Sequence, residues 1–297
     1  MSDLITNVAP GIKMLDQTVA WPGFINPYLI EGDKKAIIDI GPTKTVPGVL
    51  STLAQTGVKP EEIDYLILTH IHLDHGGGSG LALKSLPNAK VVLHPRGIKH
   101  LAEPQALWKA SIEVLGDLAR EYGELTPIPL EKMIPAQDHM KLDMGRGLVL
   151  EMIFTPGHAA HHLCIFEQKN KAVFAGDAAG VPTGGVLRVT SPPPFRLEEY
   201  IGSINLLIAL QPKILCFAHR GFKKNAVQML EASKAKTYLW YEIARAGAKA
   251  GKTQQQVIND ILDKDPDMAY MKTAGREEFE RDFHLIVSSV NGLMLAK

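Results

Sequence analysis

Three histidines and one aspartate stand within six residues of one another, directly after an apolar run that ends at Leu68. They are His70, His72, Asp74 and His75. Imidazole nitrogens and carboxylate oxygens are the usual ligands of zinc and of related transition metals. Four such side chains so close together do not suit a hydrophobic core. The segment therefore predicts one part of a metal site, provided that matching side chains occur elsewhere; a bare histidine-rich surface loop would lack them.

Three later segments supply side chains of the same kind in the same setting. His158 follows the apolar run 149–154, Asp177 follows 171–176, and His219 follows 213–218. Each run is short, strand-like and bounded by turn residues. Ligand sites in α/β sheets commonly lie beyond the carboxyl ends of strands. The repetition predicts that four strands carry metal ligands to one edge of the sheets.

Seven ligands are more than a single tetrahedral zinc ion uses, so the pattern predicts two ions that share a bridging carboxylate. Zinc lowers the pKa of a bound water to about 7 and so supplies hydroxide at neutral pH. It also polarises a carbonyl or phosphoryl oxygen. Hydrolysis is accordingly the expected class of reaction. Zinc is the first choice of metal, and iron or manganese would also accept this set of ligands.

Composition argues against several other classes of protein. The chain has 297 residues, of which 45% are hydrophobic, and its 32 basic and 32 acidic residues cancel. That balance gives no sign of a nucleic-acid or anionic-membrane partner. Two cysteines, Cys164 and Cys216, are too few for a disulfide framework and are expected to be buried thiols. With no signal-like N-terminus and no long apolar stretch, we expect a cytoplasmic protein with a small-molecule substrate, and a homodimer is left open.

The order of these motifs resembles the metallo-β-lactamase-fold superfamily, from about residue 20 to 222. The resemblance implies an α/β fold, a four-layer αββα sandwich of two similar halves with the metals at one edge. It implies that one ion is held by His70, His72 and His158, and the other by Asp74, His75 and His219, with Asp177 as the bridge.

Asp39 and the two histidines His161 and His162 leave alternatives open. Asp39 matches a framing position of the superfamily and either orients a ligand histidine or forms a turn before Gly41. His162 either supports a ligand or packs in the core. His161 is less usual in relatives and is a candidate to face the substrate.

The pattern of elements predicts how the chain is divided. A hairpin is expected to turn at Gly32–Asp33, with helices at 46–56, 79–86 and 106–122. We expect a catalytic domain at 1–222 with a helical insertion at about 97–135. Residues 223–297 are expected to form a mainly helical extension packed on it, with Trp240 among the residues to watch. A glycine- and proline-rich stretch at 180–195 is expected to border the metals.

Departures from individual branches narrow the expected function. Asp177 and the absence of an export signal disfavour a true β-lactamase, and Gly180 stands where lactonases of this superfamily carry a tyrosine. The remaining resemblance is to glyoxalase II and its relatives. We expect a dinuclear hydrolase of a small ester or thioester that uses metal-bound hydroxide, with Asp74 as the catalytic residue that orients it. The alternatives are a phosphodiesterase or nuclease, and a mononuclear iron enzyme resembling persulfide dioxygenases; a binding module is least favoured.

Overall fold

The short apolar runs of the sequence form the strands of three β-sheets. The computed structural model describes residues 4–16, 25–183, 186–272 and 275–296. The strands are β1 (Ile5–Ala9), β2 (Ile12–Leu15), β3 (Tyr28–Glu31), β4 (Lys35–Ile38), β5 (Ile63–Ile67), β6 (Lys90–Leu93), β7 (Met133–Pro135), β8 (Lys141–Gly145), β9 (Leu148–Phe154), β10 (Leu163–Glu167), β11 (Ala172–Phe174), β12 (Val181–Thr183), β13 (Val186–Arg188), β14 (Ile214–Cys216) and β15 (Phe222–Lys223).

Helices connect the parallel strands and make up most of the C-terminal part. They are α1 (Val46–Gln55), α2 (Ser79–Ala82), α3 (Ile98–Ala102), α4 (Gln105–Leu115), α5 (Asp117–Tyr122), α6 (Leu197–Ala209), α7 (Ala226–Lys249), α8 (Gln254–Lys264) and α9 (Arg276–Leu295). None of the helices in the described ranges combines the length and the apolar character that crossing a membrane requires.

The chain divides into two units. Unit 1 comprises Met1–Phe154, His161–Gly176 and Lys213–Lys224, and unit 2 comprises Thr155–Ala160, Asp177–Pro212 and Asn225–Lys297. Unit 2 thus combines the C-terminal helices with two segments that the sequence analysis assigned to the catalytic domain. The domain boundary at residue 222 stays a prediction.

Unit 1 contains a seven-stranded sheet in the order β1-β2-β3-β4-β5-β6-β7 and a six-stranded sheet in the order β15-β14-β11-β10-β9-β8. Strands β4 to β7 run parallel to one another. In the second sheet β11 pairs in parallel with β14, and β9 runs in the same direction because both β9 and β11 are antiparallel to β10. The carboxyl ends of β4, β5 and β6 therefore share one edge of the first sheet, and those of β9, β11 and β14 share one edge of the second.

A continuous apolar core in unit 1 draws side chains from both sheets. Tyr28 and Ile67 of the first sheet join Met152, Phe174 and Cys216 of the second, and all are essentially inaccessible to solvent. Full burial of an apolar side chain of this size contributes about 1.5–3 kcal/mol. Both cysteines are buried thiols, as predicted, and burial raises the pKa of the Cys216 thiol well above its usual value.

Several predicted elements are confirmed and others are shorter or broken. The hairpin at Gly32–Asp33 joins β3 to β4. The helix predicted at 79–86 ends at Ala82, and the chain goes on in turns to Pro87, whose ring disfavours helix in the preceding residue. The helix predicted at 106–122 is broken at Gly116, which has a φ of +57°.

The segment 97–135 is helical as expected, but it ends in strand β7, which pairs with β6. The three residues of β7 include Pro135, and a proline within a short run argues against a strand there. The glycine- and proline-rich stretch at 180–195 contains the β12–β13 hairpin, which the sequence analysis did not predict. Helix α8 begins as expected after Thr253, whose hydroxyl accepts a hydrogen bond from Gln256 N at 3.3 Å.

Trp240 of α7 is a structural residue of unit 2. Its side chain is fully buried, and its indole nitrogen donates to Asp265 Oδ2 at 2.7 Å. Asp265, also fully buried, is paired with Lys236 of the same helix. The apolar ring is thus packed in the core, and its polar N–H group has a hydrogen-bond acceptor. Packing alone therefore explains why a tryptophan stands here, without any contact to a substrate.

We predict that Trp240→Phe lowers the free energy of unfolding by about 1–3 kcal/mol, because Asp265 loses a buried donor. Urea unfolding followed by circular dichroism measures this loss. Tyr238→Phe is the matched control, since Tyr238 on the same helix is 41% exposed. Equal stability of the two variants would show that the buried hydrogen bond is unimportant.

Candidate metal centre

The carboxylate of Asp39, just beyond the end of β4, organises the end of the neighbouring strand β5. Its Oδ1 accepts from Thr69 N at 2.8 Å, and its Oδ2 accepts from the Thr69 hydroxyl at 2.7 Å. The same Oδ2 lies 3.0 Å from His75 Nδ1. Asp39 is 2% exposed and has a φ of +50°. The contact with His75 favours the interpretation that Asp39 orients a histidine, and the role of His75 as a metal ligand stays a prediction.

The segment from His70 to His75 is a tight turn that leaves no space for side chains at the following glycines. His75 N and Gly76 N both donate to His72 O at 3.0 Å. A Cβ atom on Gly77 would lie 2.3 Å from Leu73 O. Gly77 is therefore required by close backbone packing, and the turn directs successive candidate ligand side chains from one short loop.

His219 follows β14 in a loop that is held by residues from the beginning of the chain. The Tyr28 hydroxyl lies 2.7 Å from Phe217 O and 2.9 Å from Gly221 O, and both carbonyls are acceptors. Asn26 N donates to Ala218 O at 2.8 Å. Burial raises the pKa of Tyr28 well above its usual value, with smaller contributions from Cys216 and Asp39, so the phenol remains a donor.

Asp74, His75 and His219 bring one ligand atom each into a group whose members all lie within 4.8 Å of one another. Asp74 Oδ2 is 3.9 Å from His75 Nε2 and 3.7 Å from His219 Nε2. These distances are too long for hydrogen bonds. They are close to the separation of about 3.4 Å between two ligands bound at about 2.1 Å to one tetrahedral ion.

The chemistry of these atoms also fits a cation. Because a carboxylate only accepts, His75 Nδ1 donates to Asp39, and the neutral ring then presents its Nε2 lone pair towards Asp74 Oδ2. Two acceptors that face each other are stabilised by a positive ion, or by a proton on Nε2. A carboxylate behind the ring is the arrangement that metal-binding histidines usually have.

His70 and His72 are adjacent and are flanked by a second pair of histidines. His70 Nε2 lies 2.9 Å from His72 Nδ1, and His70 Nδ1 lies 3.1 Å from the Thr69 hydroxyl. The His161 ring is 5.6 Å from the His72 ring, centroid to centroid, and the His162 ring is 4.9 Å from that of His70. His162 is fully buried, whereas His72 and His161 are partly exposed.

Gly176, at the end of the strand that leads to Asp177, packs closely against this histidine cluster. It has a φ of +50°, and a Cβ atom there would lie 2.6 Å from the Thr69 hydroxyl and 2.7 Å from His162 Nε2. Only glycine satisfies both the backbone conformation and the close approach.

In unit 2, His158 and Asp177 form a similar pair. His158 Nδ1 lies 3.1 Å from Thr190 O, which can only accept, so this nitrogen donates. His158 Nε2 then faces Asp177 Oδ2 at 3.5 Å. The Thr190 hydroxyl donates to Asp177 O at 2.7 Å. Burial raises the pKa of nearby Tyr200 to about 12, and the charge of Asp177 adds to the shift.

The structure thus groups the predicted ligands within each unit. Unit 1 brings together Asp74, His75 and His219 and places His70 beside His72; unit 2 places His158 beside Asp177. The supports Asn26, Tyr28 and Thr190 were not predicted from the sequence. Tyr28 is separated by 189 residues from the carbonyl that it contacts, and no local pattern reveals such a pairing.

We predict that Asp39→Asn weakens metal binding about 10–100-fold, because the amide cannot accept from Thr69 and His75 as a carboxylate does. Competition with a chromophoric chelator measures the affinity. Asp33→Asn is the matched control, since Asp33 is a largely exposed aspartate in the turn before β4. Unchanged affinity in Asp39→Asn would mean that Asp39 does not orient a ligand.

Tyr28→Phe retains the ring in the core but removes the donor to the loop that carries His219. We predict a loss of about 1–3 kcal/mol in the free energy of unfolding, together with weaker metal binding. The same urea and chelator measurements apply. A variant with full stability and full metal affinity would show that the hydroxyl does not support the loop.

Comparison of the sequence with known proteins identifies a family and several similar proteins. The model of the family described as "Metallo-beta-lactamase superfamily" matches residues 20–219. A metallo-beta-lactamase fold-containing protein of Sulfurisphaera tokodaii is 33% identical over 208 residues, which are 68% of this chain and 75% of that protein. A Bacillus subtilis protein named as a probable metallo-hydrolase is 29% identical over 230 residues, covering 68% of this chain and 69% of that protein.

The fold is shared over a larger part of the chain. The crystal structure of an archaeal metallo-beta-lactamase superfamily protein from Sulfolobus tokodaii superimposes with a TM-score of 0.74 at 27% identity, and it covers 95% of this chain and 98% of that one. The α/β fold implied by the motifs is therefore confirmed. With a family match that spans all seven predicted ligands, this chain belongs to the metallo-β-lactamase superfamily, a superfamily of metallo-hydrolases.

Proposed function

We propose that this protein is a dinuclear metal-dependent hydrolase that acts on a small ester or thioester. The observation that carries the proposal is the convergence of Asp74, His75 and His219, with nitrogen–oxygen distances of 3.7 and 3.9 Å. Ligand atoms at that spacing suit a shared cation better than hydrogen bonds to one another. Membership of a metallo-hydrolase superfamily supports the same chemistry.

The two ions have separate ligand sets in this proposal, with zinc as the first choice. His70, His72 and His158 would hold one ion, Asp74, His75 and His219 would hold the other, and Asp177 would be shared between them. Support comes from the hydrogen bonds of two ring nitrogens, His75 Nδ1 and His158 Nδ1. His75 Nδ1 is held by Asp39, and His158 Nδ1 is held by Thr190 O, so each ring presents Nε2.

When bound, the ions lower the pKa of a water molecule and polarise the carbonyl of the substrate. Asp74 Oδ2 faces His75 and His219, so the other carboxylate oxygen of Asp74 would be the one to accept a hydrogen bond from the attacking water and orient it. The Asp74 side chain is 19% exposed, whereas that of His75 is fully buried. Asp74 is thus accessible to water on one side and fixed on the other.

Substrate enters from the side of His72 and His161, which are both partly exposed. Behind them, His70 and His162 are buried and keep bulk water from the rear of the ligands. His161 contacts the His72 ring edge-on and is available to contact the bound substrate.

Two features favour a small ester or thioester over other substrates of such metals. The net charge of zero gives no general attraction to nucleic acid. Gly180 has a φ of +74°, and a Cβ atom there would lie 2.6 Å from Arg188 O. The backbone therefore has no space for the tyrosine that the sequence analysis associated with lactonases.

We predict that the metal-loaded protein hydrolyses a thioester or ester in a panel that also contains a lactone and a phosphodiester. His72→Ala and Asp177→Ala should lower kcat/KM by about a thousand-fold or more, which corresponds to about 4 kcal/mol. Initial rates measure this, and circular dichroism checks that the fold is retained. His100→Ala is the matched control, because His100 is an exposed histidine on α3.

Full activity in His72→Ala or Asp177→Ala would refute the assignment of ligands. Turnover of the phosphodiester alone would refute the ester or thioester choice while leaving a hydrolase. Oxygen uptake with a persulfide by the iron-loaded protein, with no hydrolysis, would select the redox alternative instead.

A further inference from the structure

The C-terminal helix α9 is joined by buried hydrogen bonds to residues 189–191, which we call the Thr190 segment. The Ser289 hydroxyl of α9 donates to Val189 O at 2.9 Å. The Ser191 hydroxyl donates to Ser289 O at 3.0 Å, and Ser191 N lies 3.4 Å from Ser289 Oγ. Ser191 and Ser289 are 0% and 2% exposed, so water does not compete for the groups that form these hydrogen bonds.

One turn further along α9, the helix backbone itself touches the Thr190 segment. A Cβ atom on Gly292 would lie 1.8 Å from Ser191 O and 2.9 Å from the carbonyl carbon of Pro192. Any side chain at position 292 would therefore push the helix and the segment apart. Glycine is unfavourable in a helix interior by about 1 kcal/mol relative to alanine, so its presence is explained by this contact.

The Thr190 segment holds both predicted ligands of unit 2. Thr190 O accepts from His158 Nδ1, and the Thr190 hydroxyl donates to the backbone oxygen of Asp177. Helix α9 contacts Val189 and Ser191, the two neighbours of Thr190. The carbonyl of Thr190 holds the His158 ring, and its hydroxyl holds the backbone of Asp177. A displacement of the segment would change both together.

We propose that Ser289 and Gly292 of α9 are positioning residues for the metal centre, acting through the Thr190 segment on His158 and Asp177. This inference rests on the proposed function, because it assumes that His158 and Asp177 bind metal. It assigns a specific role to the C-terminal helix, which the sequence predicted only as part of a helical extension.

The test compares metal affinity in the full-length chain for Ser289→Ala, Gly292→Ala and the exposed neighbour Asn291→Ala. Zn²⁺ affinity is measured by chelator competition, and the visible spectrum of the Co²⁺-substituted protein reports ligand geometry. We expect Ser289→Ala and Gly292→Ala to bind about 10–100-fold more weakly and to alter the Co²⁺ spectrum, with Asn291→Ala unchanged. Ser289→Thr retains the hydroxyl and should recover affinity.

A double-mutant cycle separates positioning from a general loss of stability. If α9 acts through His158, Ser289→Ala should weaken metal binding several-fold less in a His158→Ala background than in the wild type. Equal effects in the two backgrounds would overturn the inference. So would wild-type affinity and spectrum in both Ser289→Ala and Gly292→Ala.

Failure of the proposed function has a different signature. If Asp177→Ala and His158→Ala bind metal as tightly as the wild type, those residues are not ligands, and both the proposed function and this inference are refuted. If these two variants lose metal but the α9 variants do not, the inference alone is refuted.

Discussion

The carboxylate of Asp39 is the group on which the arrangement of unit 1 depends most directly. It accepts hydrogen bonds from the backbone and the hydroxyl of Thr69, just beyond β5. It also contacts His75 at the end of the turn from His70 to His75, which we call the ligand turn. A carboxylate with 2% exposure needs such partners to offset the loss of its hydration. The same contacts that satisfy Asp39 therefore fix the entry to the turn and the orientation of its last histidine.

The candidate ligands have a common mode of support. In three of the rings, Nδ1 contacts an oxygen atom of the protein. The partner is Asp39 for His75, the Thr190 carbonyl for His158 and the Thr69 hydroxyl for His70. His219 is supported differently, because Tyr28 and Asn26 hold the backbone of the two residues before it, Phe217 and Ala218. Metal-binding rings are commonly oriented in this way, because the partner selects the tautomer and prevents rotation. The supports come from distant parts of the chain, so the site depends on the whole fold of each unit.

Close backbone packing sets a second requirement, and it is met by glycine. Gly77 allows the ligand turn to close on Leu73 O, Gly176 allows the end of β11 to approach Thr69 and His162, and Gly292 allows α9 to contact Ser191 O. In each case a single methyl group would enter the space of a backbone or buried atom. Because the packing at these glycines is tight, a shift of the helix or strand would also shift the candidate ligand side chains next to it.

The sequence by itself determined the superfamily, the strands that end in ligands and the identity of the candidate ligands. It could do so because those ligands lie directly after apolar runs, and strand periodicity and ligand chemistry are both local properties. It missed β7 and the β12–β13 hairpin, where Pro135 and Pro182 interrupt the strand pattern, and it predicted a single helix for α4 and α5. Only the tertiary structure decided that Tyr28 holds the loop of His219, that Thr190 holds His158 and Asp177, and that α9 holds Thr190. Tyr28 is 189 residues from its carbonyl partner, and Ser289 is 100 residues from Val189. Contacts between residues so far apart leave no periodic pattern in the sequence. They form because folding brings buried donors next to buried acceptors, and such groups need hydrogen-bond partners.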